Sequence, residues 1–211
     1  MIEKPHAPAT QRNRDPILDV LRTHFAGRQS VLEIGSGTGQ HAVYFAAAMP
    51  HLVWQCSDRA ENLPGIRAWI DAAGLPNTPA PIALDVASFD WHSFELHGSA
   101  DARGFDALFS ANTLHIMGWP EVEAMFAGLD TVLAADATVV IYGPFNVGGQ
   151  FTSDSNAAFD AELRARAPQM GLRDVAAVDA LARSIGFRMV ADIAMPANNR
   201  CLVWRRLRVQ V

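Results

Sequence analysis

Lysine is almost absent from this chain. Of 17 basic residues only Lys4 is a lysine, and the rest are arginines. The body of the chain therefore lacks the lysine that a Walker phosphate-binding loop, a Schiff base or a Tyr-x-x-x-Lys dehydrogenase pair requires. Enzymes that depend on any of these three sites are excluded.

Basic charge and cysteine are also scarce. The net charge is −5, and the only dense basic patch is the tail at residues 205–208. A chain without a long basic stripe is a poor candidate for gripping a phosphodiester backbone, so we expect no nucleic-acid partner. Cys56 and Cys201 each fall alone on a predicted strand. That isolation favours buried thiols in a reducing compartment over a disulfide or a metal site.

Long apolar runs and a targeting pattern are missing as well. No stretch approaches the roughly 20 apolar residues that span a bilayer, and the N-terminus lacks the basic-then-apolar signal pattern. We therefore expect a cytoplasmic protein without a membrane partner. A length of 211 residues fits one domain. We assign an extended N-terminal segment to residues 1–12 and a single domain to 13–211, whereas no pattern indicates the oligomeric state.

The most informative stretch is residues 31–39. An apolar run leads into glycines at alternate positions, Gly35, Gly37 and Gly39, and residues 41–49 then have the pattern of a helix. Strand, glycine turn and helix are therefore predicted in succession. Glycines allow positive φ and let a ligand lie against bare backbone, while amides at the start of the helix point towards it. The pattern predicts a nucleotide-like ligand.

The spacing of the glycines argues against a dinucleotide. Gln40 occupies the place of the third fingerprint glycine, and Glu33 would be badly placed beside a pyrophosphate but well placed beside a cation. The pattern Glu-x-Gly-x-Gly-x-Gly resembles motif I of the class I S-adenosylmethionine (SAM) dependent methyltransferases. SAM carries a sulfonium and an amine but no phosphate. The resemblance implies SAM as the cofactor, bound by Glu33, Gly35, Ser36, Gly37 and Gly39.

Acids follow the next two predicted strands. Asp58 ends a strand over residues 52–58, about 20 residues after the glycine turn, where a βαβ unit returns a carboxylate to the ribose. An alternative role for Asp58 is to cap a helix predicted over 61–73. Asp85 follows a third strand predicted over 80–84. The resemblance implies that Asp85 meets the adenine amino group and that the amide of Val86 reaches the ring.

The loop after the fourth predicted strand carries the candidate catalytic residues. The strand covers residues 105–110, and Ser110 at its end is a further candidate for the cofactor site. In an open parallel sheet this loop borders the binding crevice, so Asn112 and His115 should face the substrate. The unperturbed pKa of histidine, near 6.5, suits a general base. Packing of the loop is the alternative role for His115.

Two further segments complete the predicted site. Residues 145–156 follow the fifth strand, predicted over 138–144, and form a polar loop typical of a substrate lid. We expect Tyr142, Thr152 and Asn156 to line the substrate. A helix is predicted from Asn13 to about Phe25. The equivalent segment of class I methyltransferases often folds over the cofactor, which makes Arg12 and Asn13 candidates. The His92 and His97 segment matches no metal-site spacing, so no metal is expected.

The end of the chain indicates the direction of the last two strands. Strands predicted over 187–194 and 201–207 are joined by so few residues that they must pair antiparallel. The resemblance to the class I methyltransferases implies an α/β, Rossmann-like fold: a mostly parallel seven-stranded sheet, an antiparallel last strand and helices on both faces.

A closer resemblance covers nearly the whole chain. It is to a small, poorly characterised group of methyltransferase-like proteins that offers no substrate to carry over. The matching motifs are Arg12-Asn13-x-x-Pro16-Ile17-Leu18, Asn112-x-x-His115-Ile116, Gly143-Pro144, Thr152-x-x-x-Asn156, Gly171-Leu172-Arg173-Asp174 and Met195-Pro196-Ala197-Asn198-Asn199.

Three functions remain after these observations. The first is a methyltransferase that acts on a small-molecule substrate, and the second is a SAM-binding module or partner subunit without transfer activity of its own. The third is a nucleotide-dependent oxidoreductase, which the missing lysines and the shortened glycine spacing disfavour. Cofactor preference separates the third function from the others, and turnover separates the first from the second.

Overall fold

The structure is a computed structural model that describes residues 4–92 and 104–206. Helices and strands alternate along most of the chain. The helices are α1 (Pro8–His24), α2 (Gln40–Ala48), α3 (Leu63–Ala73), α4 (Trp119–Val132), α5 (Asp154–Arg166) and α6 (Val175–Ser184). The strands are β1 (Ser30–Ile34), β2 (Val53–Asp58), β3 (Ile82–Ala83), β4 (Phe105–Ala111), β5 (Leu133–Gly143), β6 (Phe145–Asn146), β7 (Arg173–Asp174), β8 (Phe187–Met195) and β9 (Asn199–Arg206).

One sheet of seven strands organises the molecule. Its order is β3-β2-β1-β4-β5-β9-β8, and β1 to β5 pair in parallel. Strand β9 pairs antiparallel with both β5 and β8, so the last strand is the reversed one. The predicted seven-stranded, mostly parallel sheet with an antiparallel last strand is therefore confirmed.

The sheet is buried on both faces, and alternate residues of each strand belong to different cores. Val31, Trp54 and Phe109 join the core that α1 and α2 cover, whereas Leu32 and Leu108 join the core that α4 and α6 cover. Burial on both faces explains why apolar residues occupy consecutive positions in the central strands, as at Val31 and Leu32. The helices therefore lie on both faces of the sheet, as predicted.

Residues 8–12, predicted to be extended, are helical, because α1 begins at Pro8. Proline suits the first turn of a helix, where its missing N–H would have no intrahelical acceptor. The extended part of the N-terminus within the described residues is thus limited to residues 4–7. Lys4 stacks on Trp69, and the carbonyl of Pro5 accepts a hydrogen bond from Trp69 Nε1 at 2.7 Å. These contacts hold the segment against α3.

The other differences are in element lengths. Strand β3 is only two residues long, and β5 begins at Leu133, five residues before the predicted start at 138. The polar loop after β5 contains β6, which pairs in parallel with β7, and α5 begins within the predicted loop. Because the paired residues of β6 and β7 are 28 positions apart in sequence, as in Phe145 and Arg173, local periodicity could not reveal their pairing. Among the described residues, no helix is long and apolar enough to cross a bilayer.

An aromatic cluster joins α2 to the centre of the sheet, and we expect it to be a major source of stability. Phe109 has no exposed surface and lies 5.4 Å from Phe45 and 5.7 Å from Trp54, measured between ring centroids. Phe109→Ala should lower the free energy of unfolding by about 3–5 kcal/mol in urea denaturation, because it leaves a cavity in a packed core. Phe151→Ala is the matched control: Phe151 is 45% exposed, and its loss should change stability by less than about 0.5 kcal/mol. Equal effects would contradict this view of the core.

Candidate functional site

A cavity of about 560 Å³ opens at the carboxyl ends of β1, β2, β3 and β4. Strand order reverses between β1 and β4, which is where open α/β sheets bind ligands. The walls come from the N-terminus of α1, the turn after β1, the loops after β2, β3 and β4, and residues 169 and 170. The lining residues are Ala7, Ala9, Thr10, Ile34, Gly35, Ser36, Gly37, Thr38, His41, Asp58, Arg59, Asn62, Leu84, Asp85, Val86, Ala111, Asn112, Thr113, Ile116, Met117, Glu121, Gln169 and Met170.

The three glycines of the turn after β1 all have positive φ, from +57° to +85°, but their surroundings differ. A Cβ on Gly35 would lie 2.4 Å from Thr113 Oγ1, and a Cβ on Gly39 would lie 3.0 Å from the Cα of Ile66. These two glycines permit close packing. A Cβ on Gly37 would meet nothing within 4 Å. Gly37 lines the cavity and leaves its backbone bare towards it, whereas Gly39, also predicted to bind the cofactor, does not line the cavity.

Asp58 braces this turn from the end of β2. Its Oδ2 accepts a hydrogen bond from the amide of Gly37 at 2.7 Å, and its Oδ1 accepts from the amide of Arg59 and from Asn62 Nδ2. The side chain also lines the cavity. The N-cap of α3 is Asn62. Asp58 therefore does not cap that helix, and its carboxylate is positioned between the glycine turn and the ligand space.

Glu33 lies beneath the turn and does not line the cavity, and its predicted contact with the cofactor stays a prediction. Successive side chains of a strand point to opposite faces, so Ile34 lines the cavity while Glu33 faces Trp54. The Glu33 carboxyl accepts a hydrogen bond from Trp54 Nε1 at 2.9 Å and is 2% exposed. Burial raises its pKa to about 7, hydrogen bonds from Trp54 and Ser36 oppose the rise, and Asp58 adds to it.

The other predicted cofactor residues divide between the cavity and its support. Asp85 and Val86 line the cavity, and Asp85 Oδ1 accepts a hydrogen bond from the amide of Ala87 at 3.1 Å. Ser110 is fully buried, and its hydroxyl donates to the carbonyl of Ile34 at 2.8 Å, which ties β4 to β1. Asn13 is buried behind the cavity wall and does not line the cavity.

The two predicted catalytic residues lie together, but only one reaches the cavity. Asn112 Oδ1 and His115 Nδ1 would each lie 3.9 Å from a Cβ on Gly143. Asn112 lines the cavity, whereas His115 is 6% exposed and packs edge-on against Phe159 at 5.3 Å between ring centroids. Burial, with a contribution from Arg173, lowers the pKa of His115 to about 4. An imidazole with that pKa is a poor general base at neutral pH.

The three residues predicted to line the substrate do not line this cavity. Tyr142 is 4% exposed, and burial raises its pKa. Asn156 Nδ2 donates to Thr152 Oγ1 at 2.9 Å and to the carbonyl of Asn198 at 3.0 Å. These bonds tie the start of α5 to the turn between β8 and β9. The polar loop is thus braced internally by the side chains that were expected to face a substrate.

Several lining residues escaped the sequence analysis. Gln169 and Met170 reach the cavity because Arg173 holds their segment against the loop after β4: its guanidinium donates to the carbonyls of Leu114 and Met117. The start of α1 is held by a bond of 2.6 Å from the amide of Ala7 to Gln40 Oε1. His41 could have been noticed, since it is a polar residue directly after the glycine turn. The described residues contain no cluster of His, Cys, Asp and Glu suited to a metal, and the predicted segment beyond His92 lies outside them.

Solved structures identify the fold. A structure of the "S-adenosylmethionine-dependent methyltransferase SibL in its apo form" is 22% identical, with a TM-score of 0.76 over 95% of this chain and 56% of that one. An O-methyltransferase family protein from Burkholderia thailandensis is 17% identical, with a TM-score of 0.79 over 96% and 58%. "PigF with SAH" is 13% identical, with a TM-score of 0.72 over 90% and 54%. The fold is that of the class I methyltransferases, and the chain spans just over half the length of these relatives.

The family itself is recognised from the sequence. The model of the family described as "Protein of unknown function (DUF938)" matches residues 4–206. The chain belongs to this family, which agrees with the expected resemblance to a poorly characterised methyltransferase-like group.

The buried carboxyl of Glu33 predicts a distinctive pH dependence of stability. Its pKa is about 7 in the folded protein against an ordinary value of 4.5, so its stabilising protonation is complete below pH 4.5 and is lost as the pH rises to 7. Between pH 4.5 and 8 the free energy of unfolding of the wild type should fall by about 3 kcal/mol relative to that of Glu33→Gln, which keeps an acceptor for Trp54. Urea denaturation across this range measures the difference. Parallel curves for the two proteins would show that Glu33 titrates normally.

Proposed function

We propose that this protein is a SAM-dependent methyltransferase that acts on a small-molecule acceptor. The observation that carries the proposal is the charge of the cavity lining: Asp58, Asp85 and Glu121 are acidic, and Arg59 is the one lysine or arginine among the lining residues. Arg59 is itself paired with Glu61 at 2.6 Å. An acidic lining favours a cationic ligand and disfavours a pyrophosphate. The class I methyltransferase fold supports the same reading.

The residues present fit this cofactor. Gly37 exposes bare backbone, so a ligand can approach the turn closely. Asp58 and Asn62 offer a carboxylate and an amide to ribose hydroxyls, and Asp85 with the amide of Val86 offers an acceptor and a donor to an adenine edge. When bound, SAM supplies an electrophilic methyl group to a nucleophile. The protein would hold the cofactor by hydrogen bonds from one edge of the cavity.

The acceptor would occupy the opposite end of the cavity. Ile116, Met117 and Met170 are aliphatic, and Asn112 and Gln169 add amide groups. Pockets for small molecules commonly combine apolar walls with a few polar groups, and methionine adapts to varied shapes. We expect Asn112 to orient the acceptor. The work of the protein would then be alignment of the two partners and exclusion of water.

A binding module without transfer activity is the second candidate, and one observation favours it. His115 was the candidate base, yet it does not line the cavity and its pKa is lowered to about 4. A methyltransferase needs a base only when its acceptor arrives protonated, so the position of His115 limits the choice of acceptor rather than excluding activity. Turnover in a screen of metabolites would decide between the two candidates.

Ligand preference is the first test of the proposal. Calorimetric titration should show binding of SAM and of S-adenosylhomocysteine, and no binding of NAD, because the acidic lining opposes a pyrophosphate. Gly37→Val should lose binding of SAM and of S-adenosylhomocysteine, because Gly37 lines the cavity and its φ of +57° is strained for valine. Binding of NAD with none of SAM would overturn the proposal.

A contact between Asp58 and the ligand can be distinguished from the hydrogen bond by which Asp58 supports the turn at Gly37. Asp58→Ala should weaken the binding of S-adenosylhomocysteine by about 1.5–3 kcal/mol, which is the range for loss of a hydrogen bond to a charged group. The same substitution should cost much less when the ligand is the 2′,3′-dideoxyribose analogue, because the hydroxyl donors are already missing. Calorimetry on both ligands measures the coupling. Equal losses for the two ligands would mean that Asp58 acts by bracing the turn alone.

A further inference from the structure

His41 lies in the cavity wall but was not among the predicted site residues. It belongs to the first turn of α2, directly after the glycine turn, and lines the cavity although it is only 8% exposed. Its ring stacks on Phe45, with centroids 5.2 Å apart and planes 11° apart, and meets the edge of Phe109 at 6.1 Å. The imidazole is therefore held in one orientation by core aromatics.

Asn13 fixes which nitrogen of His41 carries the proton. Asn13 Oδ1 lies 2.8 Å from His41 Nε2, in a contact where both residues are buried. A carbonyl oxygen can only accept, so Nε2 donates and Nδ1 is left with a free lone pair. No hydrogen bond to Nδ1 occurs within residues 4–92 and 104–206. Burial lowers the pKa of His41 to about 4, so the ring is uncharged at neutral pH.

The position of His41 along the cavity indicates what it meets. Asp58 and Asp85 stand at the ends of β2 and β3, where the proposed function puts the nucleoside. His41 stands beyond them, beside β1, and touches Phe109 of β4. A cofactor with its nucleoside at Asp58 and Asp85 would extend towards β1 and β4 through its amino-acid portion. That portion carries a protonated amino group, which is a donor and a cation.

We infer that Nδ1 of His41 accepts a hydrogen bond from the amino group of the bound cofactor and that Asn13 is its positioning residue. The inference rests on the proposed function. An uncharged acceptor suits a cationic donor, whereas an imidazolium would repel it and would have no lone pair to offer. The pairing also gives the buried Asn13 a purpose: it holds the tautomer from α1, outside the cavity.

Binding of two ligands by three proteins tests the contact. His41→Leu should lower the affinity for S-adenosylhomocysteine about 10- to 100-fold, which is the range for loss of a hydrogen bond to a charged group. The same variant should bind 5′-methylthioadenosine, which has no amino-acid portion, as the wild type does. His41→Asn places an oxygen close to the position of Nδ1 and should recover part of the loss. Equal weakening of both ligands, or of neither, would overturn the inference.

Nitrogen-15 NMR of the ligand-free wild type tests the tautomer without any variant. His41 should be the neutral Nε2–H form at pH 7, and a protonated Nδ1 would overturn the inference even if the variants failed to fold. His51→Leu is the control substitution, because His51 lies outside the cavity and should leave both affinities unchanged. A wild type that binds neither SAM nor S-adenosylhomocysteine would instead overturn the proposed function, which the NMR result cannot do.

Discussion

The bond between Asp58 and the amide of Gly37 holds the site together. It joins the end of β2 to the turn after β1 at 2.7 Å, and the amides of Gly35 and Ser36 add hydrogen bonds to the carbonyl of Ser57, also on β2. A hydrogen bond from an amide to a carboxylate is shorter and stronger than a neutral one. The turn can therefore keep positive φ angles at its three alternate glycines while no side chain of these glycines occupies the cavity. Strand pairing of β1 with β2 sets the distance that this bond spans.

Glu33 and Asp58 show how two neighbouring acids can have opposite environments. Both belong to strands at the same edge of the sheet, but Asp58 reaches the cavity and accepts three N–H groups, whereas Glu33 is enclosed by Trp54 and the core. The enclosure raises the pKa of Glu33 to about 7. The acid of the glycine motif is thus a buried hydrogen-bonding group beneath the turn. Its carboxyl does not line the cavity.

The fold was predictable because its signals are local. Apolar runs and glycine turns predict the strands and helices, and the short link between β8 and β9 predicts that these two strands pair antiparallel. The arrangement of the sheet was implied by the resemblance to the class I methyltransferases. The cavity lining was predictable where it follows directly from a strand end, as at Asp58 and Asp85. It was not predictable where a distant segment docks, as Arg173 docks Gln169 and Met170 against the loop after β4. No periodicity in the sequence records such a contact.

The polar residues of the predicted substrate loop bond within the protein and do not line the cavity. Asn156 and Thr152 bond to each other and to the turn after β8, and His115 is enclosed by Phe159. Backbone groups in irregular segments need hydrogen-bond partners, and polar side chains are often the nearest source of them.

The end of the cavity that we propose for the acceptor is mostly aliphatic. An aliphatic pocket discriminates by shape and size, and each methylene is worth only about 1–3 kcal/mol. Selectivity for the acceptor would therefore depend on the few amides at this end, Asn112 and Gln169, more than on the apolar walls.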